Sequence, residues 1–274
     1  MKKQMLNFFL ILLTVVVVAF SIWGPEALSG YKDKGVLNRI QTKEEEAEGA
    51  GYRYRLSSNE KLYILSRCLN NQVIPESEQS ALTRETDEEY QELTGTYAFV
   101  VNHKGPSGQE ITDEEIYATA NEEIRTLKEL GILPETIKEV QSSSYEAVLY
   151  SAIDVPEPRN NVSVWKVSLS GSVQNSNKKN RLIDVYIDAD DGKIYEFYAR
   201  TELKWEEINP DEMIAKWSSY MGLGNPEEYE TDNPLLETTP YYKKYVFAGT
   251  GDERTIVTIG FYEGINELFL KISK

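Results

Sequence analysis

Apolar and polar positions alternate most regularly between Arg181 and Arg200, with the period of a β-strand. Leu182, Asp184, Tyr186 and Asp188 fall on one side of this run, and Ile183, Val185 and Ile187 on the other. Asp190-Asp191-Gly192 then breaks the alternation with a turn whose glycine can take a positive φ. Ile194, Tyr195, Phe197 and Tyr198 supply a returning strand. The pattern predicts an antiparallel hairpin around an acidic turn.

Helical periodicity appears in three other places. Ser58 precedes a run with Leu62, Leu65, Cys68 and Leu69 at spacings of three and four, and Pro75 lies beyond its end. Thr112, followed by Asp113-Glu114-Glu115, reads as an N-cap with first-turn acids. Behind it Ile116, Ala120, Ile124, Leu127 and Leu130 form an apolar stripe, with Glu123 on the water side and Gly131 as the stop. Asn209-Pro210-Asp211-Glu212 opens a third helix whose apolar face is Met213, Ile214, Trp217, Tyr220 and Met221, ended by Gly222. Strand-like runs occur at 52–56, 96–102, 144–155, 162–173, 241–247, 254–262 and 267–272, with Gly-rich or Asn-containing turns between the last three. A helix followed by an antiparallel meander thus occurs at least twice, a repeat of pattern and not of residue identity.

The N-terminus differs from everything after it. Lys2 and Lys3 precede a nearly unbroken apolar run from Met5 to Trp23, long enough at helical rise to cover the hydrocarbon thickness. The lysines favour a cytoplasmic start, which places Tyr31 onward outside the cytoplasm. Ile22, Trp23 and Pro25 crowd the position where a signal peptidase needs small residues, so the run reads as an uncleaved single-pass anchor. The expected organisation is a cytoplasmic tip at 1–4, a transmembrane helix at 5–23 and a polar linker at 24–51. Three α+β units follow at 52–110, 111–204 and 205–274.

Composition narrows the partners. With 29 Lys and Arg against 45 Asp and Glu, the formal net charge is -16. Nucleic acid and anionic lipid surfaces need clustered cations and are therefore not expected as partners of the globular part. One cysteine, Cys68, excludes an intramolecular disulfide and a thiolate metal site, and its place in an apolar stripe reads as a buried side chain. His103 is the single histidine, and no motif joins it to Cys68.

At Val185-Tyr186-Ile187-Asp188-Ala189-Asp190-Asp191-Gly192-Lys193-Ile194 the chain resembles the PepSY family. That family shows an apolar strand running into an acidic turn ending Gly-Lys or Gly-Glu, after a Trp- or Tyr-led strand. Trp165-Lys166-Val167 looks like the lead strand, the helix from Asp113 stands where the family's helix does, and Asp191 replaces the usual Thr. The resemblance implies small α+β modules outside the membrane, regarded as interaction or inhibitory domains near peptidases, cell-wall enzymes or sensor kinases. It carries over no catalytic residue.

Candidate chemistry is thin. Counted from Asp188 as an EF-hand loop, Gly192 is fifth and position twelve is Ala199, so the calcium pattern fails and a turn explains the aspartates. Asp113-Glu114-Glu115, Glu206-Glu207 and Asp211-Glu212 are paired acids at helix starts, where the dipole accounts for them. Gly222-x-Gly224 and Gly249-x-Gly251 are incomplete as phosphate loops. Asn161-Val162-Ser163 matches a glycosylation triplet. No catalytic, cofactor-binding or metal residue is assigned, and no cofactor or small-molecule substrate is expected.

The expected protein is an α+β chain: an N-terminal transmembrane helix followed by repeated PepSY-like helix-plus-antiparallel-sheet units. It is expected in the cell membrane with its C-terminal part extracytoplasmic, as a non-enzymatic regulatory partner of another envelope protein such as a sensor kinase or peptidase. The alternatives are a carboxylate-dependent envelope hydrolase and a passive cell-surface component.

Overall fold

The computed structural model describes residues 53–70, 96–108, 110–170, 180–231, 234–249 and 253–273. All of them belong to one compact unit, Glu48–Lys274. Among the described residues the α-helices are α1 (Ser58–Asn70), α2 (Ile116–Glu129) and α3 (Pro210–Met221). The strands are β1 (Tyr97–Val101), β2 (Tyr145–Asp154), β3 (Asn161–Leu169), β4 (Arg181–Asp188), β5 (Ile194–Arg200), β6 (Glu227–Glu228), β7 (Tyr241–Ala248), β8 (Arg254–Tyr262) and β9 (Glu267–Ser273).

These nine strands form one antiparallel sheet in the order β1-β2-β3-β4-β5-β9-β8-β7-β6. This corrects the expected fold of repeated helix-plus-sheet units. Strands assigned to separate units instead continue a single hydrogen-bonded ladder. The join is β5–β9, where Phe197 faces Leu270 and Ala199 faces Leu268. A sheet split there would leave two rows of main-chain donors and acceptors unpaired between apolar side chains, which is costly.

Register puts an apolar row across the sheet: Ala147, Val167, Val185, Phe197, Leu270 and Ile259 stand opposite one another in successive strands. On this face Trp217 of α3 meets Phe247 edge-on at 5.9 Å, and the Trp165 indole donates to the carbonyl of Ile111, just before α2. The other face carries α1, which touches β1, β2 and β3 on one side of the central β4–β5 hairpin and β8 and β9 on the other. Register irregularities between Leu182 and Asp184 and between Tyr186 and Ile187 bend β4 against β5.

The helices start and stop largely as their sequences direct. Asn209 accepts from the Glu212 amide at 3.3 Å, Pro210 sits in the first turn of α3, and Gly222 ends the helix at φ 70°. At α1 the cap is Ser57 and not Ser58: the Ser57 hydroxyl accepts from the Glu60 amide while the Glu60 carboxylate accepts from the Ser57 amide at 2.7 Å. Residues 53–57 form no strand, contrary to their alternation; the Tyr54 amide instead reaches the carbonyl of Arg159 at 2.9 Å.

The apolar run 5–23 lies outside the described residues, as do the tip 1–4 and the linker 24–51. Among the described residues no helix is long and apolar enough to cross a membrane. The longest, α2, has 14 residues and spans about 21 Å at helical rise, short of a hydrocarbon core. The expectation of a single-pass membrane protein, with the membrane as a partner and an extracytoplasmic C-terminal part, finds no support and is withdrawn.

Candidate functional site

The acidic turn between β4 and β5 carries Asp188, Asp190 and Asp191, and its backbone is shaped by its own hydrogen bonds. The Asp190 amide donates to Asp188 Oδ1 at 2.7 Å, and the Gly192 amide donates to the Asp188 carbonyl at 3.0 Å. Gly192 takes φ 78°, the left-handed conformation that the turn requires. Asp188 itself is fully buried. Its second oxygen, Oδ2, accepts from Lys61 Nζ at 2.8 Å and from the Tyr195 hydroxyl at 2.5 Å.

Two cations from the segment leading into and through α1 close over the turn. Lys61 also meets Asp190 Oδ2 at 3.0 Å, and Arg53 bridges Asp190 at 2.8 Å and Glu110 at 2.6 Å. The other oxygen of Glu110 accepts from the Ser107 amide at 2.6 Å. Burial pulls the Lys61 pKa down, but Asp188 and Asp190 outweigh it and hold the ammonium above its ordinary value. Burial likewise pushes the Asp190 carboxyl up, and the charges of Arg53 and Lys61 outweigh that push. Burial, helped by Asp188, drives the Asp191 carboxyl up.

The chemistry of this cluster is therefore anchoring. The Lys61 ammonium occupies the space between Asp188 and Asp190 where a bound cation would have to sit. Among the described residues no group of three or more His, Cys, Asp or Glu is placed to hold a metal ion. The Tyr195 phenol, fully enclosed, is pushed well above its ordinary pKa by burial and then by Asp188, so it donates a hydrogen bond and is no base.

Cys68 is buried, its sulfur 3.3 Å from the carbonyl of Ala98 and 3.9 Å from that of Ile153, and burial pushes the thiol up to about 12. His103 sits in an exposed turn after β1. The Glu115 carboxylate accepts from the Thr112 hydroxyl at 2.8 Å, and Glu207 from the Lys204 amide at 2.8 Å. Asp211 accepts from Tyr245 at 2.9 Å and pairs with Lys243 at 2.8 Å. Asn161 opens β3 and donates to the carbonyl of Pro158. Residues 250–252, with Gly251, lie outside the described residues. Glu123, expected on the water side of α2, instead accepts from the Tyr220 hydroxyl at 2.6 Å, and burial raises its carboxyl.

The surface feature that periodicity could not reveal is the β1 margin of the sheet. β1 pairs with β2 alone, and among the described residues no strand lies on its outer side. The Val155 amide bonds Thr96 and the Asn102 amide bonds Leu149 across that pair. By alternation Phe99 and Val101 turn their main-chain groups outward. Val101 stands opposite Tyr150, on which Phe99 stacks at 4.6 Å, and Val148 lies two residues along β2 on the same face. Val101 and Val148 are 40% and 37% exposed, a large share for valines in strands.

Comparison of the chain with family models, with curated proteins and with solved structures finds no match to any of them. The functional reading therefore rests on the geometry and the sequence of this chain.

Proposed function

We propose that this chain is a non-enzymatic protein-binding module whose β1 margin accepts an extended segment of a partner polypeptide. The observation that carries the reading is the outer edge of β1, where outward main-chain groups of Phe99 and Val101 lie beside an exposed apolar patch. Main-chain pairing at such an edge supplies affinity, and alternate side-chain contacts supply selectivity. The likeness of residues 185–194 to PepSY modules, regarded as interaction or inhibitory domains, points the same way. The net charge of -16 favours a partner with a basic segment. Regulation of that partner, for instance a kinase or peptidase, is the role such a module would serve.

The test is affinity capture with the full chain and with Val101→Lys, which places a charge on the edge. A stoichiometric polypeptide retained by the native chain and lost by the variant, at unchanged melting temperature, is the expected result. Equal retention by both proteins, or turnover of a substrate by the purified chain, overturns the reading.

A further inference from the structure

Away from both the turn and the β1 edge, a cavity of about 400 Å³ opens between the end of α2, the loop that follows it and the start of β4. The loop is pinned from inside. Ile137 and Val140 are buried, and Asn121 of α2 grips the Val140 backbone, accepting from its amide at 2.8 Å and donating to its carbonyl at 2.9 Å. The Lys138 amide bonds the carbonyl of Asn180 at 3.0 Å, setting Lys138 beside Arg181. Lys128, Lys138 and Arg181 then line one cavity with Ser144, Tyr145 and a single acid, Glu139.

Three observations on Arg181 make this more than a solvated basic face. Its partner across the β4–β5 ladder is Arg200, and like charges directly opposite repel. Arg200 has a carboxylate, Glu267, at 3.8 Å; among the described residues no carboxylate lies within ion-pair reach of Arg181, Lys138 or Lys128. In a chain where carboxylates outnumber cations 45 to 29, that leaves three cations around one cavity without the partner the composition makes abundant. Finally, Arg181 Nε, like the Nε atoms of Arg67 and Arg200, is buried and donates to no protein group, but of Arg181 and Arg200 only Arg200 has a carboxylate within ion-pair reach. Lys128 alone would be explained by the dipole at the end of α2, but Arg181 would not.

We infer that this cavity binds a small oxyanion carrying two or more negative charges, of the phosphate or polycarboxylate class. The Arg181 fork, oriented beside the Tyr145 hydroxyl, supplies directional donors, and Lys138 and Lys128 supply charge. The Ser144 hydroxyl adds a neutral donor at the rim. This is independent of the β1 edge and of any partner polypeptide.

The test titrates the full chain in chloride buffer at constant ionic strength with inorganic phosphate and, in a parallel arm, with citrate. Saturable one-site binding that raises the melting temperature is expected; phosphate alone assigns a phosphate head group, citrate alone a carboxylate. Lys138→Gln, at an exposed position, weakens binding about tenfold, as loss of one charge-assisted bond does. Arg181→Gln abolishes it, and Lys138→Gln keeps the test decisive if that variant misfolds. Absence of saturation with both anions, or binding by Lys138→Gln as tight as the native chain's, overturns the inference.

Discussion

Lys61 and Asp188, 127 residues apart in the chain, meet at 2.8 Å with the carboxylate wholly buried. This contact ties α1 to the turn between β4 and β5. It is also the arrangement in which removing one partner costs most, because the other charge stays enclosed. Lys61→Met should therefore destabilise the chain by about 3 to 5 kcal/mol in urea unfolding. The double variant Lys61→Met/Asp188→Asn should recover much of that loss. If the single variant costs less than about 1 kcal/mol, the turn is held by its own hydrogen bonds and by Tyr195 instead.

Gly192 allows a second test at the same turn. Its φ of 78° disfavours any side chain, and a Cβ there would stand 2.8 Å from the Thr119 methyl of α2. Gly192→Ala should cost roughly 1 to 2 kcal/mol for the conformation, with the steric clash in addition. Adding Thr119→Ser removes the methyl and should return the clash portion only. Complete recovery in the double variant would show that conformation contributes nothing, contrary to expectation.

The hairpin at 181–200, the stripe of α2 and both ends of α3 were legible because each is written within a few residues: an alternation, a spacing of three or four, an Asn-Pro start, a Gly stop. The joining of the strands into one sheet was not. Nothing local in Phe197 or Leu270 says that they face each other, since either would suit any buried strand. The same limit hid the partners of the acidic turn. Asp188 and Asp190 showed that a turn was there, but Arg53, Lys61 and Glu110 come from elements placed by tertiary packing. Glu123 was misplaced for a related reason: Tyr220, 97 residues away, covers it. The basic cavity depends on Lys128, Lys138 and Arg181, whose convergence no spacing announces.

Tyr220 does two jobs at the start of β5. Its hydroxyl donates to Glu123 and accepts from the Ile194 amide at 2.8 Å, while Trp217 donates to the Ile194 carbonyl at 3.1 Å. Two side chains of α3 thus complete the backbone of a residue at a register irregularity, where strand pairing does not. Tyr220→Phe strips a partner from both Glu123 and Ile194 and should cost about 1 to 3 kcal/mol. In hydrogen exchange the Ile194 amide should lose protection selectively; unchanged protection would mean another acceptor replaces the phenol.

Glu196 makes stability depend on pH in a direction opposite to the usual carboxylate. The β5–β9 ladder stops at Phe197, and beyond it the Glu196 side chain accepts from the Ile272 amide at 2.9 Å and from the Tyr198 hydroxyl at 2.8 Å. Burial nonetheless dominates, lifting the carboxyl from an ordinary 4.5 to about 7; the two hydrogen bonds and the charges of Lys271 and Lys166 oppose it without cancelling it. Below pH 4.5 the group is protonated in both the folded and the unfolded chain, so its contribution is fully favourable there. As pH rises from 4.5 through about 7 the unfolded chain gives up the proton first, and stability falls; above that window the loss is constant. Its size is on the order of 3 kcal/mol. Glu196→Gln keeps an acceptor for Ile272 and cannot ionise. The native-minus-variant difference in urea unfolding, followed from pH 4 to 8, should therefore swing against the native chain across that window. A difference that stays flat with pH would show that the carboxylate is ionised in the fold at ordinary acidity and that water reaches it.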